Sequence, residues 1–153
     1  MTLRFQLTTR RTGLRRIVKV AIHDDPASMD VEYRRLSRRA ELISDVPDAY
    51  VVHGACFPRR EWEDRDPRAH QVTILLNLEH VTATVIAHEA THAAMHLYSI
   101  DCYRDHARAS VHLVGGNEIV PYLVGDIFSA ITNRLLQTGH ELRAGLGRTY
   151  RDV

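Results

Sequence analysis

Cysteine is scarce in this chain: Cys56 and Cys102 are the two in 153 residues, and they are not spaced as CxxC. That excludes a disulfide framework and a thiolate zinc ribbon, so the expectation is a reduced, cytoplasmic protein. Long apolar runs are also missing. Tight ones such as residues 74–76 fall far short of the roughly 18 to 20 apolar residues of a spanning helix, and no membrane span is expected. The N-terminal stretch MTLRFQLTTRRTG places Arg4 and Gln6 where a signal peptide would have its uninterrupted apolar core, which argues against export by that route. Internal repeats, low-complexity tracts and Gly/Ser linkers are absent, so residues 1–153 read as a single domain.

What is present is ordinary globular composition, 44% hydrophobic and 25% charged, enough for a chain of this size to support a core without staples. The net charge of +1 hides an uneven distribution. Residues 1–40 hold ten Arg or Lys against four acids (+6), and residues 41–153 hold ten against fifteen (−5). Such a basic segment is usually a solvated face, and less often a surface for an acidic partner or nucleic acid. The pairs Arg34-Arg35 and Arg38-Arg39 repeat at helical spacing, but no RNA-binding aromatic motif, helix-turn-helix signature or Gly-rich phosphate loop accompanies them. Nucleic-acid binding is therefore disfavoured.

Arg4-Phe5-Gln6-Leu7 and residues 16–22 flank the turn-like Arg10-Arg11-Thr12-Gly13 and read as an N-terminal hairpin. Asp24-Asp25-Pro26 breaks the chain, and residues 29–42 form a short helix. Residues 50–55 have strand character, and the charged stretch 58–67 reads as an exposed loop. Residues 71–78 form a strand buried on at least one face. They lead into the longest helical pattern, 81–98, which is apolar on two sides and therefore buried. A loop with Gly115-Gly116 precedes a second helix over 117–137, ended by Gly139, and the last dozen residues fray.

Within the buried helix lies His88-Glu89-Ala90-Thr91-His92, an HExxH sequence. Histidines at i and i+4 differ by only about 40° around a helix, so both imidazoles can reach one ion. Glu89, about 100° from His88, is turned too far for a natural ligand but is placed to hold a water as general base. Ten histidines and eight glutamates would produce HExxH by chance with a probability of roughly 3%, so the context has to carry the reading. Two imidazoles and a carboxylate in an apolar helix are costly unless something satisfies them, and a zinc ion does so; the competing reading is a helix whose histidines hydrogen-bond within the core.

A catalytic zinc needs a third protein ligand, and Glu118, 26 residues after His92, opens the second helix. On these residues the chain resembles zincin metallopeptidases of the gluzincin type. HEATHAAMH followed by NEIVPYLVGDI is similar, more narrowly, to small zincin-like proteins of phages and prophages, over roughly residues 80–130. The resemblance implies His88, His92 and Glu118 as zinc ligands and Glu89 as general base. The metzincin pattern is contradicted, since its third histidine would fall on Tyr98. His96, a further turn along from His92, suits a structural or ligand-supporting role better than a ligand's. Gluzincins often carry an acid four residues after the ligand Glu; here that position is Tyr122, and Asp126 is the possible substitute. Tyr122 is the first candidate for oxyanion donor, with His112 and Tyr103 behind it.

The expectation is an α+β fold: a small twisted antiparallel or mixed sheet packed on the HExxH helix and a second, ligand-bearing helix. The expected activity is zinc-dependent hydrolysis of a peptide or related amide bond. Strand 71–78 is either an edge strand that pairs with an extended peptide or an ordinary internal strand. The alternative function is a non-catalytic, zinc-stabilised phage-type interaction protein that uses its basic N-terminal face to bind a host protein or nucleic acid.

Overall fold

The computed structural model describes residues 2–39, 53–58, 71–102 and 118–142. Alternating β-branched and polar residues form β1 (Thr2–Thr9) and β2 (Arg16–His23), paired antiparallel from Thr2↔His23 to Thr9↔Arg16. Gly13, at φ 89°, takes the left-handed conformation that the turn requires, and its N–H donates to the Arg10 carbonyl at 2.9 Å. The expected hairpin is thus present with its expected turn.

The chain continues through α1 (Pro26–Arg39), β3 (Gly54–Pro58), β4 (Val72–Asn77), α2 (Ala83–Cys102) and α3 (Ile119–Gln137). The sheet is mixed, in the order β1-β2-β4-β3, with β4 parallel to β2 and antiparallel to β3. Strand 71–78 is accordingly an internal strand, and among the described residues β1 and β3 are the edges. Every residue of β4 is buried, the signature of a strand covered on both faces.

Alternation along the strands divides the core in two. Val18, Val20, Ile22, Val72, Ile74 and Leu76 face α2 and α3, where Ile86, Ala90, Ala93 and Leu97 meet Leu123, Ile127, Ile131 and Leu135. Ala21, Leu75 and Phe57 face the other way, against Met29, Tyr33 and Leu36 of α1, with the Tyr33 and Phe57 rings edge-on at 5.4 Å. The expected α+β packing of a small mixed sheet on two main helices is present, and the shorter α1 covers the opposite face.

Boundaries shift for local reasons. The first helix begins at Pro26, ahead of the expected residue 29: Asp25 accepts the Ser28 N–H at 2.7 Å as an N-cap, and proline suits the first helical position. The third strand runs from Gly54 to Pro58, with proline tolerated on an edge; residues 50–52 of the expected strand lie outside the described residues. The expected loop over 59–67, the Gly115-Gly116 loop, the end of the first helix at 40–42 and the C-terminal dozen also lie outside them. Gly139 ends α3 as expected, at φ 79°, in a Schellman motif: the His140 N–H donates to the Leu135 carbonyl and the Gly139 N–H to Leu136, both at 3.0 Å.

Helix α3 bears on one further expectation without deciding it. It is long and apolar enough, with a mean hydropathy of 1.2, to cross a membrane by length and composition alone. Counting tight apolar runs missed this because Asp126 and Arg134 interrupt the pattern. Its buried stripe, Leu123, Ile127, Ile131 and Leu135, is packed within the protein.

Polar contacts lock the layers. Asp101, 1% exposed in its side chain, receives the Arg16 guanidinium, with Nε at 2.9 and 3.0 Å, and also the Thr12 hydroxyl, tying the end of α2 to the hairpin. On the other face Arg4 donates to both oxygens of Glu32 at 3.0 and 2.5 Å. Beside this pair His23 is buried, its Nε2 3.1 Å from Glu32 but off the line of a hydrogen bond, its Nδ1 3.0 Å from the Ser28 hydroxyl.

Burial pushes the His23 imidazole below its ordinary range, and the Arg4 hydrogen bond holds the Glu32 carboxyl below its own. Both groups bind protons more readily in the unfolded chain. Their contribution is therefore fully present above about pH 6.5, the unfolded value of histidine, and is lost as pH falls, first through His23 and then through Glu32. The midpoint of urea unfolding should drop steadily from neutral pH toward the carboxylate range, and a flat midpoint there would contradict this role for the pair.

Candidate metal centre

The HExxH sequence lies on α2 as expected, and the helix sets its geometry. His88 and His92 are exposed on one side, with their Nε2 atoms 3.1 Å apart and their rings nearly perpendicular, at 81°. Two nitrogens each about 2.05 Å from a common zinc at a tetrahedral angle would stand roughly 3.3 Å apart, so the pair has the bite that a single ion requires. Glu89, one position on, turns inward and is 5% exposed.

Edge strand β3 forms the opposite wall. A cavity of about 350 Å³ opens between it and α2, with His88, Glu89, His92 and His96 on one side and Gly54 and Cys56 on the other. A β-carbon at residue 54 would lie 2.9 Å from Glu89 Cγ and 2.9 Å from Val85 Cγ1, so glycine is what lets the strand backbone press against the carboxylate. Sequence reading missed β3 as part of the site. The signal was a glycine inside a strand pattern, which marks a close backbone approach.

Burial raises the Glu89 carboxyl above the ordinary carboxylate range, partly offset by His88. A base that retains its proton more readily is suited to taking a proton from water and returning it to a leaving group. Burial, assisted by the Glu89 charge, pushes the Cys56 thiol up to about 12. Cys56 is therefore a neutral thiol at physiological pH, and it offers no thiolate for nucleophilic attack.

Of the remaining predicted residues, Glu118, Tyr122 and Asp126 sit elsewhere. Glu118 is exposed at the N-cap of α3, where its carbonyl accepts the Tyr122 N–H at 3.1 Å. Among the described residues no group of three or more His, Cys, Asp and Glu side chains could hold a metal, so Glu118 is not brought together with His88 and His92. Tyr122, 54% exposed, stacks under the Arg11 guanidinium at 5.0 Å from its ring centre, and Asp126 pairs with the same arginine at 2.8 Å. Both side chains are engaged in docking the hairpin turn onto α3, and Asp126 orients Arg11 where a ligand histidine was the expected partner. His96 lines the cavity; Tyr103 and His112 lie outside the described residues.

The site thus brings together three of the residues predicted from sequence, His88, Glu89 and His92, under an edge strand. Compared with known protein families, curated proteins and solved structures, the chain matches none of them.

Proposed function

We propose that this protein is a zinc-dependent metallopeptidase whose reaction takes place in the cavity between α2 and β3. The observation that carries the reading is the His88–His92 pair, at 3.1 Å between Nε2 atoms, beside a buried Glu89 whose proton affinity is raised. His88 and His92 would hold the ion; Glu118, the third ligand that the resemblance to gluzincins implies, is not brought to them in this structure, and the zinc content of Glu118→Ala decides its part. A zinc ion there would supply Lewis-acid polarisation of the scissile carbonyl and a lowered pKa for the attacking water. Glu89 would take a proton from the attacking water and pass it to the leaving amine, and the β3 backbone at Gly54 packs closely against its side chain.

A peptide substrate suits the geometry. Among the described residues strand β3 is an edge of the four-stranded sheet and lines the same cavity as the histidine pair, so an extended peptide paired along that edge would lie beside Glu89. The test is cleavage of an unfolded protein substrate by the purified chain. Cleavage should disappear with a chelator and return with added zinc; cleavage that survives complete removal of the metal would overturn the proposal.

A further inference from the structure

The face of the sheet away from the histidine pair carries a second cavity, of about 500 Å³, between α1 and the strands. That volume is in the range of small-molecule sites, roughly 300 to 1,000 Å³. Its walls carry the cations Arg4, Lys19 and Arg35 against one carboxylate, Glu32. Glu32 already serves both arginines, Arg4 at 2.5 Å and Arg35 at 3.5 Å, as well as His23. Lys19, the single lysine of the chain, is half-buried and pairs with no carboxylate among the described residues.

The strand register explains how these groups meet. Gln6, Lys19 and Thr73 stand opposite one another across β1, β2 and β4, one row along from Arg4, Ala21 and Leu75. In that neighbouring row Ala21 and Leu75 pack α1. If this face served only to bury α1, apolar side chains in the next row would close it at no cost in desolvation. Instead it holds a cation, an amide and a hydroxyl, the last on a residue only 8% exposed.

We propose that this cleft binds a small molecule through a phosphate group. Three cations against one carboxylate leave two positive charges unbalanced, which a phosphate dianion matches, and the arginine forks with the Gln6 amide and Thr73 hydroxyl supply donors for its oxygens. The site uses none of the residues of the proposed zinc centre, so it stands or falls separately from the peptidase reading.

Because Lys19 is the only lysine, its ε-amine can be followed by acylation of the full chain and peptide mass spectrometry, with the α-amino group distinguished by its own peptide. Inorganic phosphate at mildly alkaline pH should slow Lys19 acylation saturably, while succinate, an equally charged dianion at the same ionic strength, should not. Arg35→Gln should raise the protecting phosphate concentration about tenfold, as expected for loss of one charge-assisted contact. Thr73→Val, nearly isosteric, provides the same comparison if the arginine variant folds poorly. Absence of protection, equal protection by succinate, or a midpoint unmoved in a folded variant would each overturn the site.

Discussion

Glu89→Gln should lower peptide hydrolysis by roughly 10²- to 10⁴-fold, the usual worth of a positioned general base, while zinc binding stays at the parent level. The substitution keeps the shape of a side chain that is 5% exposed and pressed against the backbone at Gly54, so the cavity and the histidine pair should survive it. It removes only the ability to carry a proton. The same change should make the metal-free protein more stable at neutral pH. Burial raises the folded value of Glu89, so its penalty is absent below the unfolded value of about 4.5 and accumulates as pH rises through the folded value; glutamine escapes it. Greater stability with abolished turnover is the pattern of a strained functional group. A variant that hydrolyses substrate at the parent rate would remove Glu89 from the mechanism.

Asp101→Ala should destabilise the fold by about 3 to 5 kcal/mol. Asp101 is buried to within 1% of its side chain and Arg16 to within 11%, and the guanidinium reaches the carboxylate through several contacts. Removing the acid takes the carboxylate away from the buried Arg16 guanidinium and from the Thr12 hydroxyl in the hairpin turn. Exposed pairs behave differently: breaking Arg34–Asp30, with both side chains 49% exposed, should cost no more than about 1 kcal/mol. Urea denaturation of the two variants side by side measures the contrast, and equal losses would show that burial is not what gives the Asp101 contact its weight.

Much of this architecture was legible because it is written locally. The Arg10-Arg11-Thr12-Gly13 turn, the apolar run of β4 and the helical period of α2 all give short-range signals, and each element lies where its pattern placed it; the expected burial of α2 on both sides is corrected, since the side with His88, His92 and Met95 is exposed. The HExxH geometry follows from helical periodicity alone, which is why His88 and His92 meet as expected. What was not legible depends on pairing between distant segments. The parallel alignment of β4 with β2, the edge position of β3 and the placement of α1 on the far face arise from how strands 50 residues apart find their register, and no window of sequence carries that information. Tyr122 and Asp126 illustrate the same point: helical spacing placed them one turn apart after Glu118, but Arg11, from the hairpin, decides what they touch.

The central claim is that α2 and its histidine pair form a zinc site, and elemental analysis tests it most directly. Protein purified without added metal or nickel affinity resin should contain about one zinc per chain, and His88→Ala should contain none. Glu118→Ala, assayed in parallel, decides the third ligand: loss of zinc assigns it to the site, and full occupancy removes it. A parent chain that takes up no zinc even when it is supplied would contradict the account and reduce the HEATH helix to a core element.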